Sequence, residues 1–186
     1  MVGCEERPGL LTPYEDCTMK PWLLNILACP ICKEHPLTIH VLQVDKIKLA
    51  DSKELANELM VHYKKGVLSE PSLGPVHNLS GNKDFDQKLD AARKAFSVFS
   101  QQKPSPTALK PLVEYFHGLE IISGTLRCEK CQRWYPIGSR ISSVPELLPD
   151  TERKRKPDTS FLRKYQNVLP ESILTGSKPF SIKPEA

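Results

Sequence analysis

Two Cys-x-x-Cys pairs, Cys29-Pro30-Ile31-Cys32 and Cys128-Glu129-Lys130-Cys131, constrain this chain more than any other feature. A two-residue spacer lets both thiolates of a pair reach one ion while backbone N–H groups point at the sulfurs, so two such knuckles complete a tetrahedron. A four-thiolate site is chemically closed, with no position left for water or substrate, and it points to architecture and binding ahead of catalysis. Between Cys32 and Cys128 lie 95 residues, far more than the roughly 15 to 20 of a compact zinc ribbon. Loop-closure entropy rises only logarithmically with length, and zinc binding worth roughly 10 to 16 kcal/mol in small fingers offsets it. A redox dithiol is the competing reading of either pair, but neither sits in a βαβ pattern. Iron in a rubredoxin-like cage uses the same knuckles, so zinc and iron both remain open. Cys4 and Cys17 read as free thiols on a loose terminus; a disulfide between them, or a role as substitute ligands, is the alternative, with no spacing signal behind it.

A chain of 186 residues, 26% charged and 39% hydrophobic, suits one soluble domain or a metal-nucleated module with an insertion. Its apolar runs fall far short of the roughly 18 residues of a membrane span. Residues 1–18 lack the apolar core of a secretory signal, and Met19 is a candidate natural start. The expected location is therefore the cytoplasm, with the nucleus as well in a eukaryote. A net charge of +4 is too small to mark a nucleic-acid footprint, and much of it comes from Arg153-Lys154-Arg155-Lys156.

Local patterns supply the elements. Pro21 opens a short helix whose Trp22, Leu23, Ile26 and Leu27 form an apolar stripe. Leu37, Ile39 and Val41 alternate with more polar neighbours as a strand does. Asp51-Ser52-Lys53-Glu54 reads as a capping box, followed by Leu55 and Leu59 at helical spacing and Gly66 as the stop. Residues 67–83 read as a loop without secondary structure. Phe85, Leu89, Ala92, Phe96 and Phe99 mark one face of a second helix, and Leu109, Leu112, Val113 and Phe116 one face of a third, ended by Gly118. Leu119–Ile122 and Thr125–Arg127 then lead into the second knuckle and Trp134, Tyr135 and Ile137 leave it, predicting a hairpin. A docking helix is expected over 161–169 and a tail from Thr175. The five histidines show no ligand spacing, and there is no Ser/His/Asp triad, paired-carboxylate site or Gly-rich phosphate loop. The fold class is α+β: a small zinc-ribbon-like antiparallel sheet with a helical insertion between the knuckles. The expected division is an N-terminal extension (1–18), a zinc-binding sheet domain (19–50 and 119–150), a helical insertion (51–118) and a C-terminal extension (151–186).

The run from Trp22 to Cys32, then Gly124-Thr125-Leu126-Arg127-Cys128-Glu129-Lys130-Cys131, Trp134-Tyr135-Pro136-Ile137 and Val144-Pro145-Glu146-Leu147-Leu148-Pro149 carry a family resemblance. Together they resemble the small zinc-binding activator subunit of tRNA, rRNA and release-factor methyltransferases of archaea and eukaryotes, over about residues 19–150. Glu146 departs from the asparagine usual there. The resemblance implies a non-catalytic subunit that holds Zn2+ through Cys29, Cys32, Cys128 and Cys131. It also implies a heterodimer with an S-adenosylmethionine-dependent methyltransferase, which binds that cofactor itself and brings RNA only indirectly. Candidate partner contacts are Phe116, Ile121, Trp134, Tyr135, Ile137, Val144, Leu147 and Leu148; the plain alternative for each is burial in the chain's own core. Two rival functions are a free-standing zinc-ribbon nucleic-acid binder and an iron electron carrier.

Overall fold

The computed structural model describes residues 18–49, 52–66, 73–99, 105, 108–138 and 145–182, the Phe99 side chain excepted. Cys4, Cys17, Asp51 and Val144 therefore lie outside the described residues. A four-stranded sheet in the order β2-β1-β3-β4 forms the centre, built from β1 (Thr38–Lys46), β2 (Val76–Asn78), β3 (Leu119–Arg127) and β4 (Trp134–Ile137). β1 and β3 run antiparallel from Thr38↔Arg127 to Lys46↔Leu119, with a register shift at Gln43, and β4 pairs antiparallel with β3. β2 is a difference from expectation: it pairs parallel with β1 at Ile39↔Val76, His40↔His77 and Val41↔Asn78, making the sheet mixed. Gly124 lets β1 and β3 close, because a Cβ there would stand 2.6 Å from the His40 carbonyl oxygen.

Alternation along the strands gives the sheet two faces. On one, Ile39, Val41, Ile121, Leu126 and Ile137 belong to the main core with residues of α1 (Ser52–Lys64), α2 (Lys83–Phe99) and α3 (Lys110–Phe116). Phe85, Leu89, Ala92 and Phe96 of α2 are all buried, and Leu109, Leu112, Val113 and Phe116 likewise, so the helical stripes are core. Asn82 caps α2 by accepting hydrogen bonds from the Asp84 and Phe85 amides. Gly66 ends the α1 segment at φ +69°, its N–H donating to the Tyr63 carbonyl.

The entry to the first knuckle is a 3-10 helix, Pro21–Asn25, and not an α-helix. Because this tighter turn stops at Asn25, Ile26 leaves the apolar stripe and is 58% exposed, while Leu24 takes the buried place. Met19 exchanges two 2.8 Å backbone hydrogen bonds with Ile121 and is fully buried.

The second face carries Thr38, His40, Ser123 and Thr125, polar residues that are nevertheless buried. The cover is the C-terminal segment, which forms α4 (Arg155–Lys164) and α5 (Glu171–Leu174). Phe161, Leu162, Leu169, Ile173, Leu174 and Ile182 gather around Trp134 in a second apolar cluster touched by Leu42 and Leu79. The stretch after Thr175 is thus no tail: the Trp134 N–H donates to the Lys178 carbonyl (3.1 Å) and the Lys178 N–H to that of Gln132 (2.9 Å). The Trp134 indole N–H reaches the Phe180 carbonyl at 2.9 Å. Among the described residues no helix is long and apolar enough to cross a membrane.

Candidate metal centre

Each cysteine pair sits on the same backbone turn. In the first, the Cys29 N–H donates to the Glu34 carbonyl and the Lys33 N–H to the Cys29 carbonyl, both at 2.9 Å. In the second, the Cys128 N–H donates to the Arg133 carbonyl (2.8 Å) and the Gln132 N–H to the Cys128 carbonyl (2.9 Å). Lys33 and Gln132, one residue past each pair, both have φ 61°, the left-handed region that turns the chain back. The second knuckle is the hairpin turn between β3 and β4, and the first hands directly to β1, so β1–β3 pairing carries the two turns together.

The result is a cluster in which all four Sγ atoms lie within 4.8 Å of one another. Cys29 Sγ is 3.5 Å from Cys131 Sγ, and Cys32 Sγ is 3.4 Å from Cys128 Sγ, so sulfurs cross between knuckles. Four sulfurs at about 2.3 Å from a central ion would stand roughly 3.8 Å apart, so the donor set fits a tetrahedral metal of the zinc or iron type. Cys29 and Cys128 are buried and Cys32 and Cys131 half-buried, which keeps the centre off the solvent on one side.

Electrostatics differ between the pairs. Burial pushes the Cys29 thiol up, yet hydrogen bonds from the Cys32 backbone, the Tyr135 hydroxyl and the Ile31 backbone outweigh it and bring it down to about 6. Burial pushes Cys128 up to about 12; the Cys131 backbone N–H opposes that, while the Cys32 and Cys131 sulfurs reinforce it. A packed group of thiolates repels itself, and a central cation removes that penalty.

Tyr135 is the neighbour that sequence reasoning placed elsewhere. Its hydroxyl stands 3.5 Å from Cys29 Sγ and its ring is 1% exposed, so it braces the sulfur cluster from below. Burial and then the hydrogen bond to Cys29 raise its own pKa. The signal available in the sequence was parity: Tyr135 lies on the opposite face of β4 from Trp134, hence toward the main core. Beside it, Arg133 forks onto Asp150 at 2.8 to 3.1 Å, tying the segment after the hairpin to the second knuckle.

The proposed partner contacts fare differently. Phe116, Ile121, Trp134, Tyr135 and Ile137 are 0 to 2% exposed, so their side chains are enclosed in this chain's own cores. Leu147 is partly buried against the main core and Leu148 is half-buried. The large apolar side chains that do face solvent among the described residues are Ile26, Ile31, Val61, Val98 and Val168.

Fold and site together define a small α+β protein whose two distant knuckles converge in a four-sulfur cluster able to hold a metal ion. A family model described as "Trm112p-like protein" matches residues 20–138, and the chain belongs to that family. Among solved structures, a chain from the E. cuniculi Mtq2–Trm112 complex, responsible for methylation of the eRF1 translation termination factor, is 22% identical; the match covers 73% of this chain and 100% of that one, with a TM-score of 0.39. Comparison with curated proteins gives no match.

Proposed function

We propose that this chain is a zinc-binding subunit, without chemistry of its own, that activates and stabilises an S-adenosylmethionine-dependent methyltransferase by forming a heterodimer in the cytoplasm. The observation that carries the reading is membership of the Trm112p-like family across both knuckles and the helical insertion between them. The converging sulfurs support it, since a closed four-thiolate ion supplies rigidity and no reactive position. Cys29, Cys32, Cys128 and Cys131 are the proposed ligands, and the proposed substrates of the complex are tRNA, rRNA or a translation release factor.

Activation of this kind requires no catalytic residue from the subunit. A protein that binds only the folded enzyme raises its stability by mass action, and covering an apolar surface prevents aggregation. Main-chain pairing at a sheet edge is the proposed contact. The Trp134 N–H on the outer side of β4 is already taken by Lys178 and Pro136 has none to offer, which favours the β2 side. The half-buried Leu147 and Leu148 remain candidate side-chain contacts.

The test is affinity capture of the intact chain from its native cell, with elemental analysis of the purified protein. One zinc per chain and a methyltransferase at equal stoichiometry are expected. A chain that elutes alone, or that carries iron and its colour, overturns the reading.

A further inference from the structure

Residues 151–186 contain eight Lys and Arg against four Asp and Glu, whereas residues 1–150 contain 18 of each. The net charge of +4 therefore resides wholly in the C-terminal segment. That segment is folded: α4 is anchored by Arg153, which pairs with Asp158 at 2.8 Å and donates to the Trp134 carbonyl at 2.6 Å in a buried setting. Asp158, the single carboxylate of α4, is thereby turned inward, while Lys154, Arg155, Lys156, Arg163 and Lys164 face solvent. Arg155 lies over the Phe180 ring at 5.7 Å and Lys164 over the Tyr165 ring at 5.0 Å, both rings half-exposed. No described carboxylate forms an ion pair with Lys154, Lys156 or Lys164.

We propose that the outward face of α4, flanked by Tyr165 and Phe180, is a binding surface for single-stranded RNA. A phosphate chain is held by cations alone, and Lys156 to Lys164 spans about 12 Å of helix, room for two phosphates. Half-exposed rings beside those cations offer unpaired bases a stacking platform. An acidic protein or a lipid surface needs apolar anchors as well. Here Phe161 and Leu162 are spent on the sheet, and Val168 is the one large apolar side chain of the segment that is exposed. The choice of RNA over DNA rests on the methyltransferase reading; the basic face does not.

The experiment is fluorescence anisotropy of the full chain with a 5′-labelled, unstructured 20-nucleotide RNA. With about two phosphate contacts, binding should weaken roughly sevenfold between 50 and 200 mM salt. The triple variant Lys154→Glu, Lys156→Glu, Lys164→Glu should bind at least tenfold more weakly at 50 mM salt, with an unchanged melting temperature. A control carrying the same charge change elsewhere, Lys64→Glu, Lys65→Glu, Lys94→Glu, should stay within threefold of the parent. Equal losses in the two variants, or displacement of RNA by poly-glutamate or anionic vesicles at equal charge, overturn the proposal. Equal affinity for DNA of the same sequence overturns the assignment to RNA. Methyltransferase capture by the first triple variant should persist, so the two readings fail separately.

Discussion

Lys33 and Gln132 occupy equivalent positions in the two knuckles: each has φ 61° and each donates its N–H to the carbonyl of the leading cysteine at 2.9 Å. Both turns therefore hold a side-chain-bearing residue where glycine is at ease, a strain of about 1 kcal/mol each. Gln132 recovers part of it through hydrogen bonds to Arg127 and the Glu129 carbonyl, while Lys33 makes one exposed contact to the Pro30 carbonyl. Lys33→Gly should accordingly raise the melting temperature by about 2 °C, and Gln132→Gly should not. Differential scanning fluorimetry of both variants checks the asymmetry; a fall for Lys33→Gly would refute it.

Metal affinity should depend steeply on pH. Cys128, pushed up to about 12, must release its proton on binding at every ordinary pH, so affinity falls at least about tenfold per unit of acidification. Cys29, held down to about 6, adds nothing above that pH and a second proton below it. Competition against a chromophoric chelator from pH 8 to pH 5 should show the slope steepening near pH 6, and a pH-independent affinity would defeat the prediction.

Arg153 and Asp158 form an ion pair whose side chains are 1% and 3% exposed. Removing one partner strands the other in a dry site, a loss of about 3 kcal/mol. Asp158→Ala should lower the melting temperature by roughly 6 to 12 °C, and limited proteolysis should then cut within 151–182 first. Cleavage elsewhere would show that α4 is not held by this pair.

His40 supplies a stability term of definite sign. Burial first, then the charges of His77, stacked on it at 4.8 Å, and of Arg127, lower its pKa to about 4 from 6.5. The folded state resists protonation, so this contribution is complete above pH 6.5 and is lost as pH falls toward 4, amounting to about 3 kcal/mol. Cys29, held down to about 6, also titrates there, so the comparison is between proteins: His40→Gln should lose less stability than the parent between pH 7 and pH 4.5 in urea unfolding. Identical losses would remove His40 from the account.

What the sequence revealed follows from how local each signal is. The α2 stripe from Phe85 to Phe96, the Gly66 stop and the hairpin around Cys128 and Cys131 depend on near neighbours and were legible. β2 was not, because Val76-His77-Asn78 has one strand-forming residue amid Gly74, Pro75 and Gly81 and is made a strand only by pairing with β1. The burial of His40 was equally hidden, since His77 stacks on it only once β2 has paired with β1. Trp134 shows the same limit: an aromatic pointing away from the main core reads as a docking contact until Lys178 and Phe180 are seen to close over it. For the metal centre, two short spacers announced the sulfurs, but the crossed arrangement of Cys29 with Cys131 and Cys32 with Cys128 is a property of strand register.

Pro136, together with the Lys178 main chain laid along Trp134, seals one margin of the sheet. A ribbon fastened on that side presents no run of free amides there for another strand to dock on. The strand-like stretch at Lys178 thus acts as a stopper against edge-to-edge growth along that margin.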